Sequence, residues 1–476
     1  MQFDVLVIGN GAIGSSIAYE LASRGATVCR LGTSERLGAA SKAAGAMNGC
    51  FGEVTSGLIA SEHGRKKVKL DYLASRLWPN WIERLKAETG RDDELVVAKG
   101  THVVLNTAGT HDIDTVNLEA IKATIESYGE NYVSSDLTKI RGLKPNDLVR
   151  PLQGIYIPDE HAVDSSLLIK LLDDAAHKRG VHIMDENADH ILVEGKSAVG
   201  AITASGQRID ARHVVIAAGV SSIDLLPRDS VDVDRIPPMF AGNGVSILLR
   251  LQNPEDLPDA VIRTPNRAFA CGLHCVPRSD GTLYIGATNI LKNLPRFEAS
   301  VSDVQFLLEC AVEQINRSLY FSEIAAVQVG NRPIPADGFP LIGECGLLGL
   351  WLVSGTYRDG LHQSPLLANY MANAIAGTAQ SDIDLSEFQP IRAPLQGLSR
   401  SSMPAETMSQ MMGMGFETMW NIKANWNSEI ESALLAKYTR VVDELHTEYT
   451  PPPEVVAFSQ FNPAITNRLR HYYSQW

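Results

Sequence analysis

Cysteine, surplus basic charge and long apolar stretches are all scarce in this chain of 476 residues. The six cysteines, Cys29, Cys50, Cys271, Cys275, Cys310 and Cys345, are scattered, which excludes a dense secreted disulfide framework and fits a reducing compartment. Cys271, His274 and Cys275 lie close together, but no second cluster supplies the remaining ligands of a tetrahedral centre, so no metal is expected. Lys and Arg number 42 against 55 Asp and Glu, a net charge of −13. That balance opposes nucleic acid and anionic membranes and favours solubility. No apolar run reaches the roughly 20 residues of a membrane-spanning helix, and the chain opens directly on its first predicted strand without a leader pattern. A cytoplasmic protein is expected, and no internal repeat is evident.

What is present is ordinary globular material, 45% hydrophobic and 20% charged, with length for two to four domains at roughly 150 residues each. The most informative segment is Val5 to Gly14, V-L-V-I-G-N-G-A-I-G. An apolar strand runs into Gly9-x-Gly11-x-x-Gly14, and Ile13, Ile17 and Leu21 recur behind it at helical spacing. Gly9 suits a tight turn, Gly11 a close backbone approach to a pyrophosphate, and Gly14 tight packing of helix on sheet. Ala12 and Ile13 open the helix, whose N-terminus favours phosphate through its dipole and N–H groups. A second strand at 27–31 completes a βαβ unit and implies a parallel sheet.

Leu70, Leu73, Leu77, Trp81 and Leu85 mark an amphipathic helix led by Arg65, Lys66 and Lys67, a charge run that reads as a solvated face. Strand-like stretches at 102–105, 245–249 and 282–287 suggest a separate sheet domain. Between them a helix through Leu167, Leu168, Leu171, Leu172 and Ala175 and a buried strand at 211–219 return to the nucleotide fold. A further strand at 350–353 leads into 355–360 and a helix through Leu366 and Tyr370. The expected organisation is α/β: a Rossmann-like cofactor domain of residues 1–90, 156–228 and 326–392, interleaved with an antiparallel-sheet substrate domain of 91–155 and 229–325. A helical C-terminal extension, 393–476, follows. Met403, Met408, Met411, Met412, Met414 and Met419 crowd its start, reading either as adaptable packing or as a lid over an apolar substrate tail. Ser428-x-x-Glu431 reads as a capping box, with Ile430, Leu434, Tyr438, Val441 and Leu445 on one face of the helix it opens.

With Gly9-x-Gly11-x-x-Gly14, Val163-Asp164, Val214 to Gly219, Gly330-Asn331-Arg332-Pro333 and Thr356-Tyr357-Arg358-Asp359-Gly360 in this order, residues 1 to about 390 resemble the D-amino-acid oxidase superfamily of flavoproteins, its glycine oxidase branch above all. The block Gly330 to Gly343 is the most specific piece. The resemblance implies non-covalent FAD and oxidation of an amine beside a carboxylate. It also implies that Ser41, Lys42, Ala44, Gly45, Ala46 and Met47 follow the pyrophosphate to the flavin ring, with Ala218 and Gly219 at the end of the central strand. The family's ribose-binding acid is absent, since its position is Gly32; Thr33, Ser34 or Glu35 could supply those hydrogen bonds.

Arg332 resembles the family's carboxylate-binding arginine. A guanidinium fork meets a carboxylate with two parallel bonds and keeps its charge. Arg358, Asp359, Gly360 and Leu361 resemble the loop at the flavin's pyrimidine edge, where N–H groups and a helix N-terminus would stabilise charge on the reduced ring; Arg358 either touches substrate or shapes this loop. His274 stands where the family has a substrate-binding tyrosine. It reads either as a donor to the carboxylate, cationic if that partner raises its pKa, or as a satisfied core histidine. No general base is assigned, because a neutral amine can lose hydride directly to flavin N5.

The leading expectation is an FAD-dependent oxidase of glycine, an N-substituted glycine or a related small amino acid, giving an imine, then glyoxylate or a keto acid, with O2 reduced to H2O2. A dehydrogenase passing electrons to a quinone or protein, and a non-catalytic FAD-retaining binding module, are the alternatives. The expected partners are the small-molecule substrate and O2, with no nucleic acid and no membrane; a homo-oligomer is allowed.

Overall fold

The computed structural model describes residues 2–92, 94–108, 112–266, 272–378, 383–418, 420 and 422–476. Two sheets organise it. In the first, the strands Leu350–Ser354, Arg208–Ile216, Gln2–Ile8, Val28–Leu31 and His182–Met184 lie side by side and parallel. Val5, Leu6, Val7 and Ile8 are buried, the continuous apolar run of a strand covered on both faces. Leu341–Glu344 closes one edge antiparallel, and Ser197–Thr203 with Ala188–Glu194 forms a meander off the central strand.

The turn after the first strand behaves as the glycine spacing predicts. Gly9 has φ +119°, and a Cβ there would stand 2.6 Å from the carbonyl carbon of Ala217. A Cβ on Gly14 would stand 2.9 Å from Gly9 C, so the helix Ala12–Ser23 packs at backbone distance. The amphipathic helix is longer than its leucine pattern, Glu62–Thr89, capped by the Ser61 hydroxyl and closed by Gly90 at φ +65°. The solvated-face reading of its basic run holds for Arg65 and Lys66 only; Lys67 is buried.

Among the described residues the second sheet has ten strands. Its longest pairing joins Met239–Arg250 antiparallel to Glu323–Pro335, with Gly242 opposite Arg332. The strands His274–Pro277 and Leu283–Gly286 lie beside it. Two expected boundaries shift: Pro151–Val163 and Glu323–Pro335 belong to this sheet, although residues 156–163 and 326–335 were assigned to the cofactor domain. Long antiparallel strands run through those boundaries, and a composition change cannot mark a crossing inside a strand.

The C-terminal residues form the helices Met403–Glu417, Asn427–Leu445, Pro453–Ser459 and Pro463–Tyr473. The methionines thus lie in a helix of their own, apart from Met419, which falls outside the described residues, as does Cys271. The capping box does not form: the helix begins at Asn427, and Trp426 caps it without a side-chain bond. Of its expected face, Tyr438 and Leu445 are fully buried, and Val442 replaces Val441 as the third fully buried residue. Leu445, Val455, Ile465, Leu469, Tyr472 and Tyr473 pack with Phe240, Leu291 and Ile334 of the second sheet. The Tyr472 hydroxyl donates to Arg392 O at 2.9 Å, and Arg392 forks onto Asp337 at 2.9 and 3.0 Å. Among the described residues no helix is long and apolar enough to cross a membrane.

Candidate active site

A cavity of about 740 Å³ crosses the C-terminal ends of the parallel strands and continues to the face of the second sheet. The open edge of a doubly wound sheet is where such folds bind dinucleotides. Gly9, Gly11, Ala12 and Ile13 line it, as do Thr33, Ser41, Ala44 to Met47, Ala218, Gly219 and Asp359 to Leu361. At Gly11, which has no side chain to cap the helix, a Cβ would meet only Ser41, at 3.2 Å from Oγ. The cavity therefore offers bare backbone and a helix N-terminus along its middle, which fits a pyrophosphate.

Backbone strain concentrates here. Among the described residues the non-glycines with left-handed φ are Arg36 (+48°), Ala46 (+54°) and Tyr357 (+55°), and all three line the cavity. Conformations of this kind cost about 1–3 kcal/mol each and cluster where a ligand is held.

Three expected cofactor contacts lie off the lining. Gly14 serves packing alone. Ser34 bonds Asp185 through its backbone N–H (2.6 Å) and its hydroxyl (2.8 Å), and Lys42 Nζ donates to Glu35 O at 3.0 Å. Gly32 stands against Asn10: a Cβ there would lie 2.8 Å from Asn10 Oδ1, and Asn10 Nδ2 donates to Thr33 O at 2.9 Å. Arg36 also lines this end, donating to Asn10 O (2.9 Å) and pairing with Asp173 (2.7 Å). Sequence reasoning missed Arg36 because no spacing rule marks it; only the fold brings it beside Asn10.

At the other end stand Arg332, His274 and Tyr284. Arg332 Nη1 donates to Thr288 O at 3.0 Å, and among the described residues Arg332 has no acidic partner. His274 is 4% exposed, donates from Nδ1 to Gly272 O at 3.0 Å, and stacks on Tyr284 with ring centroids 5.6 Å apart. Burial, with the positive charge of Arg263 beside it, pushes its pKa down to about 4. Burial therefore favours the neutral ring, in which Nε2 is left to accept while Nδ1 donates. Its Nε2 lies 2.9 Å from where a Cβ on Gly45 would stand, so the small residue at 45 is required.

Arg358 lines the cavity with its loop. Its Nη2 donates to the Tyr357 hydroxyl at 3.0 Å, and Nη1 lies 3.8 Å from Glu53 Oε2. Glu53 also accepts from Arg263 (2.7 Å) and Asn266 (2.7 Å). Burial opposes ionisation of Glu53, but Arg263 and Arg358 outweigh it and hold the carboxyl well below its ordinary range. Beneath the loop Lys67 pairs with Asp359 and stands 3.8 Å from Asp71. Gln363 donates to Asp71 at 2.6 Å and His362 Nε2 to Asp71 O at 2.7 Å. Lys67 and Asp71, like Glu53 and Arg263, belong to no sequence motif; they come from distant segments that converge under the loop carrying Asp359.

Residues 4–374 match the family model described as FAD dependent oxidoreductase. The chain is 27% identical to the bifunctional protein ThiO/ThiG of Nostoc sp., over 87% of its own length but 58% of that protein's, so it spans under two thirds of this relative. It is also 27% identical to glycine oxidase of Geobacillus kaustophilus, covering 82% of this chain and 97% of that enzyme. The crystal structure of glycine oxidase from the same organism superposes with a TM-score of 0.70 at 26% identity, over 82% of this chain and 99% of that one. With its glycine turn, strained backbone and cavity all shaped for a dinucleotide, the chain belongs to the FAD dependent oxidoreductase family, DAO, and its cofactor is FAD.

Proposed function

We propose that the protein oxidises a small amino acid, glycine or an N-substituted glycine, at the carbon beside the carboxylate. The observation that carries this reading is Arg332, a guanidinium at the sheet end of the FAD cavity whose bonds go to neutral acceptors. A carboxylate completes its coordination with two charge-assisted bonds. The similarity to glycine oxidases supports the same class.

FAD, when bound, supplies a two-electron acceptor that takes hydride from the substrate carbon and returns the electrons to O2 as H2O2. Gly9 to Ile13 would hold its pyrophosphate, and Gly45 to Met47 with Asp359 to Leu361 would border its ring. Arg332 fixes the carboxylate, and so the direction of the C–H bond; positioning of this kind supplies much of the rate. His274 presents a neutral face that neither repels nor protonates the amine, leaving the nitrogen lone pair free to form the C=N bond as hydride departs. Water then releases glyoxylate and an amine, or a keto acid and ammonia. Arg358 is held by Tyr357 and Glu53 and borders the same space.

Anaerobic addition of glycine, sarcosine and longer N-alkylglycines should bleach the bound flavin, and air should restore it with one H2O2 per turnover. Bleaching without peroxide on reoxidation would point to another electron acceptor. No bleaching with any amino acid would overturn the reading.

A further inference from the structure

A second chamber, of about 160 Å³, adjoins the cofactor cavity, and Glu53, Tyr357, Arg358 and Asp359 line both. Its far wall is built by the C-terminal extension, from Leu398, Met403, Glu406, Gln410 and Pro452 to Glu454, all beyond the family match at 4–374. Leu58, Val68 and Phe339 complete an apolar lining, and the volume holds roughly five atoms of water size.

The polar groups of this wall are unevenly matched. Glu406 accepts from Gln410 Nε2 at 2.7 Å, while Gln410 Oε1 is buried with no hydrogen-bond partner among the described residues. Glu454 is 7% exposed. Among the described residues neither Glu406 nor Glu454 lies within ion-pair distance of a cation. The other acids of the lining are matched: Glu53 by Arg263, Asp71 and Asp359 by Lys67, Asp337 by Arg392. Burial pushes the Glu454 carboxyl up, against the pull of the Arg358 charge and of a hydrogen bond with the Tyr357 side chain. A buried acceptor on Gln410 beside two carboxyls that lack an ion-pair partner among the described residues, at the end of an apolar passage, matches a short alkyl arm that ends in a hydrogen-bonding cation.

We propose that this chamber receives the substituent on the substrate's amine, so that the preferred substrate is a glycine whose nitrogen carries a short alkyl chain ending in an ammonium group. This rests on the reading that Arg332 holds the carboxylate of an N-substituted glycine. The arm would pass Arg358, with its ammonium at Gln410, Glu406 and Glu454, and would leave as a diamine once the imine is hydrolysed.

The test compares kcat/KM of the holoenzyme for glycine, N-propylglycine and N-(3-aminopropyl)glycine. The aminopropyl compound should exceed the propyl compound at least tenfold. Glu454→Gln, which keeps the shape, and Gln410→Leu should each erase most of that ratio, and Met403→Trp, which fills the chamber, should depress both long substrates relative to glycine. Titration of flavin absorbance should show the same order in apparent affinity. Equal values for the propyl and aminopropyl compounds, or a ratio untouched by all three variants at full flavin content, would overturn the chamber assignment while the Arg332 reading stood. Failure of all three compounds to bleach the flavin would overturn both.

Discussion

The guanidinium of Arg332 occupies the space that a side chain at Gly244 would need: a Cβ there would stand 2.8 Å from both Arg332 Cζ and Thr288 O. The two residues come from neighbouring antiparallel strands, with Gly242 opposite Arg332 in register. Gly244→Ala must therefore move the guanidinium, since the Thr288 carbonyl is backbone. The expected result is a KM for the amino acid raised tenfold to a hundredfold, about 1.4–2.7 kcal/mol, with FAD content unchanged. Arg332→Ala should cost more. Wild-type kinetics in Gly244→Ala would show that the carboxylate is held elsewhere.

Lys67 is the sole cation of the described residues within ion-pair distance of Asp71 and Asp359. Lys67→Met leaves two buried acids facing each other without it. Breaking a buried pair from one side costs about 3–5 kcal/mol, read in denaturant unfolding of the holoprotein, and the loop carrying Arg358 should loosen. A change below about 0.5 kcal/mol would mean the acids are neutral without their lysine.

His274 links stability to pH. Its folded pKa is about 4 against about 6.5 unfolded, so between those values the unfolded chain binds the extra proton. The stability gained by burying the neutral ring is complete above about pH 6.5 and lost as pH falls toward 4, with a slope of at most about 1.4 kcal/mol per pH unit. His274→Phe should flatten this part of the profile, measured as urea midpoints at pH 7 and pH 5. A variant with the parent slope would assign the effect to other groups.

Arg36 and Ser34 separate the two candidate contacts at the adenosine end. Arg36 lines the cavity, whereas Ser34 is turned to Asp185. Arg36→Ala should weaken FAD binding about tenfold, the worth of one charge-assisted bond, and Ser34→Ala should change it less than twofold. Flavin fluorescence on dilution reads both. The reverse order would restore Ser34 as the ribose contact.

Local signals carried much of this protein. Val5 to Gly14 determined a strand, a turn and a helix because each depends on near neighbours: an apolar run, glycines where a Cβ cannot fit, and helical spacing. The same locality required the parallel sheet of the βαβ unit, whereas Arg332 was legible only through the resemblance of the block Gly330 to Gly343 to a known family. Tertiary structure decided the rest. Lys67 sits in a charge run that reads as solvated, and only the approach of the 356–360 loop, some 290 positions away, buries it on Asp359. Ser428 lies inside its helix, which begins one residue earlier at Asn427, and so is not its cap. His274 is neutral because of the residues packed around it, a property of dielectric and neighbouring charge that no spacing encodes. The methionine-rich extension became one wall of a chamber shared with Arg358, since which surface a helix covers is settled by shape and burial across the whole fold, not by its own sequence.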